Sequence, residues 1–168
     1  MNLQNSVQRL LAQDAIKQLK YAYLRHLDLK EWDALAVLFT PDVSGAYSDG
    51  QHSYRGRDAM MAFLIQSLGH KRMVTKHQVH HPEITLDATM TTARAVWYLT
   101  DAVLNTVSRD PTKHFVISGT AFYEDEYRLT ENGWRISQIG YRRVYEETRA
   151  LDGGQRLDCK NRFLGDFG

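Results

Sequence analysis

The order in which two hydrophobic periodicities appear along the chain constrains its fold more than any other feature. Over residues 6–29 the apolar positions recur at helical spacing, so that Ile16, Leu19, Tyr23 and Leu27 share one face, and Asp14 is a candidate start for a second helical segment. A further helix is expected over residues 30–39, with Trp32, Leu35, Leu38 and Phe39 apolar. It is stopped by Thr40-Pro41-Asp42, because Pro41 disfavours helical geometry at the residue before it. Val43 to Tyr47 and His52 to Arg55 flank Ser48-Asp49-Gly50 and read as a hairpin. Gly56-Arg57-Asp58 then opens a third helix over residues 57–68, burying Met60, Phe63, Leu64 and Leu68. After Gly69 the period changes to that of long strands, over residues 75–86, 91–107, 114–129 and 133–147, separated by stretches with good turn chemistry. Helices first and strands afterwards predict an α+β fold. Three N-terminal helices packed on a strongly curved antiparallel sheet form a cone whose concave sheet face lines a cavity. Residues 1–147 are expected to form this single domain. Residues 148–168 are a glycine-rich tail that can cover the pocket or reach a neighbouring subunit.

The 168 residues suffice for one domain with a real core, and 43% hydrophobic with 24% charged residues is an ordinary globular composition. A net charge of +1, with acids and bases interspersed, gives no electrostatic case for nucleic acid or an anionic membrane as partner. The first eleven residues mix Gln, Asn and Arg with leucine and lack the apolar run of a signal peptide, and no later run approaches transmembrane length. The single cysteine, Cys159, cannot form an internal disulfide, which points to a reducing cytoplasm.

Four of the seven histidines, His70, His77, His80 and His81, fall close together. The surrounding pattern is that of a strand, on which His77 and His81 share a face and His80 takes the other. No nearby acid or cysteine has convincing ligand spacing, so no metal is expected. Asp28 ends an apolar-faced helix, where the helix dipole disfavours a negative charge. Asp101 follows Trp97 and Leu99 at period two and should share their face, where a carboxylate needs a partner or its pKa rises. Tyr23 lies on the buried stripe of the first helix and carries a hydroxyl that needs a partner when enclosed. Arg142 and Arg143 face opposite ways on a regular strand, so at most one of them points inward.

These residues occur in a pattern that resembles the SnoaL-like family of the nuclear transport factor 2-like superfamily. Its enzymes include scytalone dehydratase, bile acid 7α-dehydratase and hexachlorocyclohexane dehydrochlorinase. The resemblance runs from about Ala12 to Glu147. It is carried by Ile16, Leu19, Tyr23 and Asp28, by Trp32-Asp33 with Leu35, Leu38, Phe39 and Asp42, and by Tyr54-Arg55-Gly56-Arg57. It continues through His77, Val79 and His81-Pro82-Glu83-Ile84, Trp97-Tyr98-Leu99, and Trp134 with Ile136 before Gly140-Tyr141. The family's Asp–His pair falls on Asp28 and His77. The additional tyrosine, second aspartate and late arginine of bile acid 7α-dehydratase fall on Tyr23, Asp101 and Arg143. Many relatives have Asn where this chain has His81, which would supply a second imidazole to the pocket.

The resemblance implies a cofactor-independent lyase of the dehydratase type or a double-bond isomerase acting on a hydrophobic small molecule. Asp28 orients His77, which removes a proton from carbon beside an activating group, and Tyr23, Asp101 and Arg143 assist the leaving group or oxyanion. Trp32, Met60, Phe63, His81, Trp97 and Leu99 are expected to line the pocket, with Phe115 and Phe122. Two alternatives stand beside this reading: a non-catalytic binder of a hydrophobic ligand, and a partner resembling the β-subunit of ring-hydroxylating dioxygenases. Exposed sheet edges favour self-association, as a dimer or a trimer.

Overall fold

The computed structural model describes residues 2–47, 50 and 52–151. Helix α1 (Leu3–Leu29) is one continuous element without a break at Asp14. Asn2 caps it by accepting the N–H of Asn5 at 2.9 Å, and Lys30 ends it in the left-handed region at φ 58°. Its inward stripe is Ile16, Leu19, Lys20, Tyr23, Leu24 and Leu27, while its first turns leave Leu3, Leu10 and Leu11 exposed. Helix α2 is only Trp32–Ala36, shorter than its sequence predicts, and Phe39 already belongs to strand β1 (Phe39–Tyr47). The physical reason is that Pro41 holds Thr40 extended while Phe39 pairs with Ile136 of the last strand. Strand β2 (His52–Arg55) and helix α3 (Arg57–Leu68) follow, and Gly56 at φ 85° makes the turn between them.

Four long strands complete the chain: β3 (Met73–Leu86), β4 (Thr92–Asn105), β5 (Phe115–Thr130) and β6 (Gly133–Ala150). The six strands form one sheet in the order β2-β1-β6-β5-β4-β3. The sheet is mixed and not wholly antiparallel, because β1 lies parallel to β6. Register shifts interrupt β3 between His80 and Glu83, and the β5–β6 ladder at Thr120/Ala121 and at Glu126/Tyr127. Each shift bends its strand and strengthens the twist, which curves the sheet around α1. The core lies between the concave face and the helices, with Ile16, Tyr23, Leu35, Met60, Trp97, Leu99 and Ile136 at most 0% exposed. Strand β6 continues to Ala150, three positions beyond Glu147. A lid formed by the tail concerns residues outside those described, as does most of the Ser48-Asp49-Gly50 turn. No helix among the described residues is long and apolar enough to cross a membrane.

Candidate active site

Asp28 reaches β3 from the last turn of α1, and three groups of that strand converge on it. Thr75 donates its hydroxyl to Oδ1 at 2.7 Å, and the backbone N–H of His77 donates to Oδ2 at 2.9 Å. The His77 ring nitrogen Nδ1 lies 2.7 Å from Oδ1. A carboxylate here accepts from Nδ1–H, so the second ring nitrogen, Nε2, is left unprotonated on the neutral imidazole. His77 is 8% exposed at its side chain and lines a cavity of about 310 Å³, whereas Asp28 stands behind the ring and does not line it.

Asp101 is the residue of β4 directly opposite His77. The same row continues across the sheet to Gly119 on β5 and Glu146 on β6. Directly opposed residues share a face, so the imidazole, the two carboxylates and the gap left by the glycine stand side by side. Arg143 closes that gap. Its Nη1 and Nη2 donate to Oδ1 and Oδ2 of Asp101 at 2.5 and 2.8 Å, and its Nε lies 3.0 Å from Oε2 of Glu146. Burial works to lower the guanidinium pKa, but the hydrogen bonds and charge of Asp101, with Glu146, hold it above the ordinary arginine value. The register shift at Thr120/Ala121 explains how Arg143 and Glu146 come to face the same way. Tyr145 pairs with Thr120 and Arg143 with Ala121, so Val144 is the extra residue. Arg142 points to the outer face, with Nε 3.6 Å from Glu124.

Phenols line another part of the cavity. Tyr23, Tyr47 and Tyr123 are buried there beside Tyr141. The hydroxyls of Tyr23 and Tyr47 approach each other, yet neither meets a partner in good hydrogen-bonding geometry. Burial raises the pKa of Tyr23, Tyr47 and Tyr123 well above that of a free phenol, so they stay neutral beside the cavity. Beneath them is a fully buried ion pair, Lys20 Nζ to Asp125 Oδ2 at 2.7 Å. The ammonium lies 3.3 Å from the centroid of the Tyr123 ring. Tyr127 donates its hydroxyl to Asp125 at 2.8 Å and accepts from Trp97 Nε1 at 3.0 Å. Burial lowers the Lys20 pKa and raises that of Asp125, each opposed by the partner's charge.

Of the residues singled out in the sequence, the structure brings Tyr23, Phe63, His77, Asp101, Phe115 and Arg143 to this cavity, with Asp28 behind His77. Several expected lining residues stand elsewhere. Met60, Trp97 and Leu99 are 0% exposed within the packed core, and Trp32 packs against that core from outside. Phe122 alternates to the convex face and is 40% exposed. His81 does not supply a second imidazole to the cavity. The irregularity after His80 gives it a φ of 28° and turns its ring outward to stack on Tyr98, with centroids 5.7 Å apart.

Thr75, Tyr47, Tyr123, Glu146 and the Lys20–Asp125 pair did not emerge from the sequence. Thr75 had a usable signal, since it precedes His77 by two on the strand and shares its face. Lys20 and Asp125 had one also, because each interrupts an apolar stripe, at helical spacing from Ile16 and between Tyr123 and Tyr127 respectively. Among the described residues no group of three or more His, Cys, Asp or Glu is placed to hold a metal ion.

Comparison with solved structures gives the same architecture. A hexachlorocyclohexane dehydrochlorinase (LinA) type 2 matches with a TM-score of 0.75 at 17% identity, over 92% of this chain and 99% of that one. A candidate scytalone dehydratase from Novosphingobium aromaticivorans matches at 0.70 and 22% identity, over 87% of this chain and 91% of that one. ActVI-ORFA from Streptomyces coelicolor matches at 0.63 and 12% identity, over 79% and 96%. The sequence model of the SnoaL-like domain matches residues 8–139. The chain therefore belongs to the SnoaL-like domain family and has the nuclear transport factor 2-like fold.

Proposed function

We propose that the protein is a cofactor-independent lyase of the dehydratase type, or a double-bond isomerase, that acts on a hydrophobic small molecule with Asp28 and His77 as its acid–base pair. The observation that carries this reading is the 2.7 Å contact between Asp28 and Nδ1 of a His77 whose ring borders a cavity. Its volume of about 310 Å³ is near the lower end of the roughly 300–1,000 Å³ typical of ligand pockets. A filled interior or a separated pair would have favoured a purely structural role.

In this reading Nε2 of His77 takes a proton from carbon adjacent to a carbonyl. Asp28 stabilises the imidazolium that forms. The buried phenols donate to the carbonyl oxygen as it gains negative charge. The electron pair left on carbon forms the new double bond as the β-hydroxyl departs, and the imidazolium returns its proton to that oxygen, so water leaves and the base is regenerated. An isomerase differs only in the last step, where the proton goes back to a different carbon.

The test is incubation with bicyclic β-hydroxy ketones and hydroxysteroids in deuterated water, following dehydration and C–H exchange by NMR. Wild type is expected to catalyse one or the other, His77→Ala to abolish it, and Asp28→Asn to lower it by about 10²–10⁴-fold. Full turnover in either variant overturns the reading.

A further inference from the structure

The pocket's charge arrangement has a consequence for what can enter it. Three carboxylates, Asp28, Asp101 and Glu146, surround the site, against the single guanidinium of Arg143 among the described residues that line it. Arg143 gives two N–H groups to Asp101, and the Glu146 carboxylate lies 3.0 Å from its Nε without a well-aligned hydrogen bond, so its charge is already met by two anions. Lys30 is influenced by Asp28, but its ammonium donates to the carbonyl of Leu68 at 2.6 Å and it does not line the cavity. Lys20 is neutralised by Asp125. With a neutral imidazole the described lining residues and the carboxylate behind them sum to about −2, and the phenols carry no charge.

We infer that this pocket admits uncharged ligands and rejects carboxylates, and that Glu146 is the residue that sets the discrimination. Asp101 is 5% exposed and bound in a bidentate pair, so it cannot leave Arg143 without stranding a buried charge. Glu146 is 46% exposed at its side chain and meets Arg143 only by charge, 3.0 Å from one nitrogen. It is the weaker of the two clamps and the one that an incoming carboxylate would have to displace. Substrates are accordingly neutral ketones, alcohols or phenols, not carboxylic acids. The inference rests on the reading above only in taking this cavity as the ligand site.

The test uses two probes of nearly identical shape, 2-naphthamide and 2-naphthoate, at neutral pH. Dissociation constants are read from the NMR shifts of the His77 and Asp101 amides, so that only occupancy of this cavity is counted. Wild type is expected to bind the amide about tenfold or more tightly than the carboxylate, as like-charge juxtaposition requires. In Glu146→Gln, which removes the charge beside Arg143 and keeps the side chain's shape, that ratio is expected to fall several-fold. Naphthoate binding as tightly as naphthamide in wild type, or a ratio unchanged in Glu146→Gln, overturns the inference. Shifts absent with both probes overturn it as well, by removing the cavity as a ligand site. Loss of the catalytic reading is seen separately, in the turnover of the Asp28 and His77 variants.

Discussion

Asp28 holds His77 at two points, accepting the backbone N–H through Oδ2 at 2.9 Å and facing ring Nδ1 through Oδ1 at 2.7 Å. The carboxylate thus fixes both the strand that carries the histidine and the nitrogen that bears its proton. Asp28→Asn should present an amide N–H to Nδ1 and favour the opposite tautomer, lowering turnover by about 10²–10⁴-fold. Thr75→Val removes one donor to the same carboxylate and should cost only a few-fold in turnover and about 1 kcal/mol of stability. Steady-state kinetics with urea denaturation separates the two effects.

Tyr23→Phe distinguishes a working hydroxyl from a core one. The Tyr23 oxygen is buried without a partner in good geometry, so its removal should leave the thermal midpoint unchanged or raised. Turnover should fall by about 10²-fold if the phenol stabilises charge on substrate. A variant as active as wild type would assign Tyr23 to packing.

The Lys20–Asp125 pair should behave as a buried charge pair. Lys20→Met leaves Asp125 uncompensated at 1% exposure and should cost about 3–5 kcal/mol. The double variant Lys20→Met, Asp125→Leu should recover most of that loss. Urea denaturation of the three proteins at neutral pH measures both, and a double variant no more stable than the single would refute the account.

Four of the nine tyrosines, Tyr23, Tyr47, Tyr123 and Tyr127, have phenol pKa values raised well above 10.0, with burial as the largest cause. A group whose folded pKa is raised stabilises fully below its unfolded pKa and loses that contribution as pH climbs toward the folded value. Stability should therefore decline from about pH 10 upward. Phenolate absorbance should show these four ionising together with loss of the circular-dichroism signal, not beforehand.

Gly119 lies in the row between Asp101 and Glu146, and a Cβ there would stand 2.3 Å from the carbonyl oxygen of Tyr145. Gly119→Ala should force β5 and β6 apart and destabilise by about 1–3 kcal/mol. It should also loosen the Arg143–Asp101 bridge, visible as broadening of the guanidinium NMR signals.

Much of this molecule was legible before any coordinates. The stripe of Ile16, Leu19, Tyr23 and Leu27 identified the helix and its buried face, and the period-two run Trp97, Leu99, Asp101 put a carboxylate on the concave side. Periodicity is a property of neighbouring residues, so the sequence carries it openly. The pairing of Asp28 with His77 is legible in the sequence only through resemblance, because no local rule connects a helix end to a strand so far along the chain.

The chain by itself determined its elements, their order and which face of each is apolar, since these follow from backbone geometry and side-chain type over short spans. Only the tertiary structure decided what occupies the cavity wall. The irregularity after His80 turned His81 outward, and the extra residue Val144 brought Glu146 to the side of Arg143. A single inserted residue inverts the alternation of everything beyond it, and whether a strand bulges depends on its partner's register. That information is shared between strands and resides in neither alone.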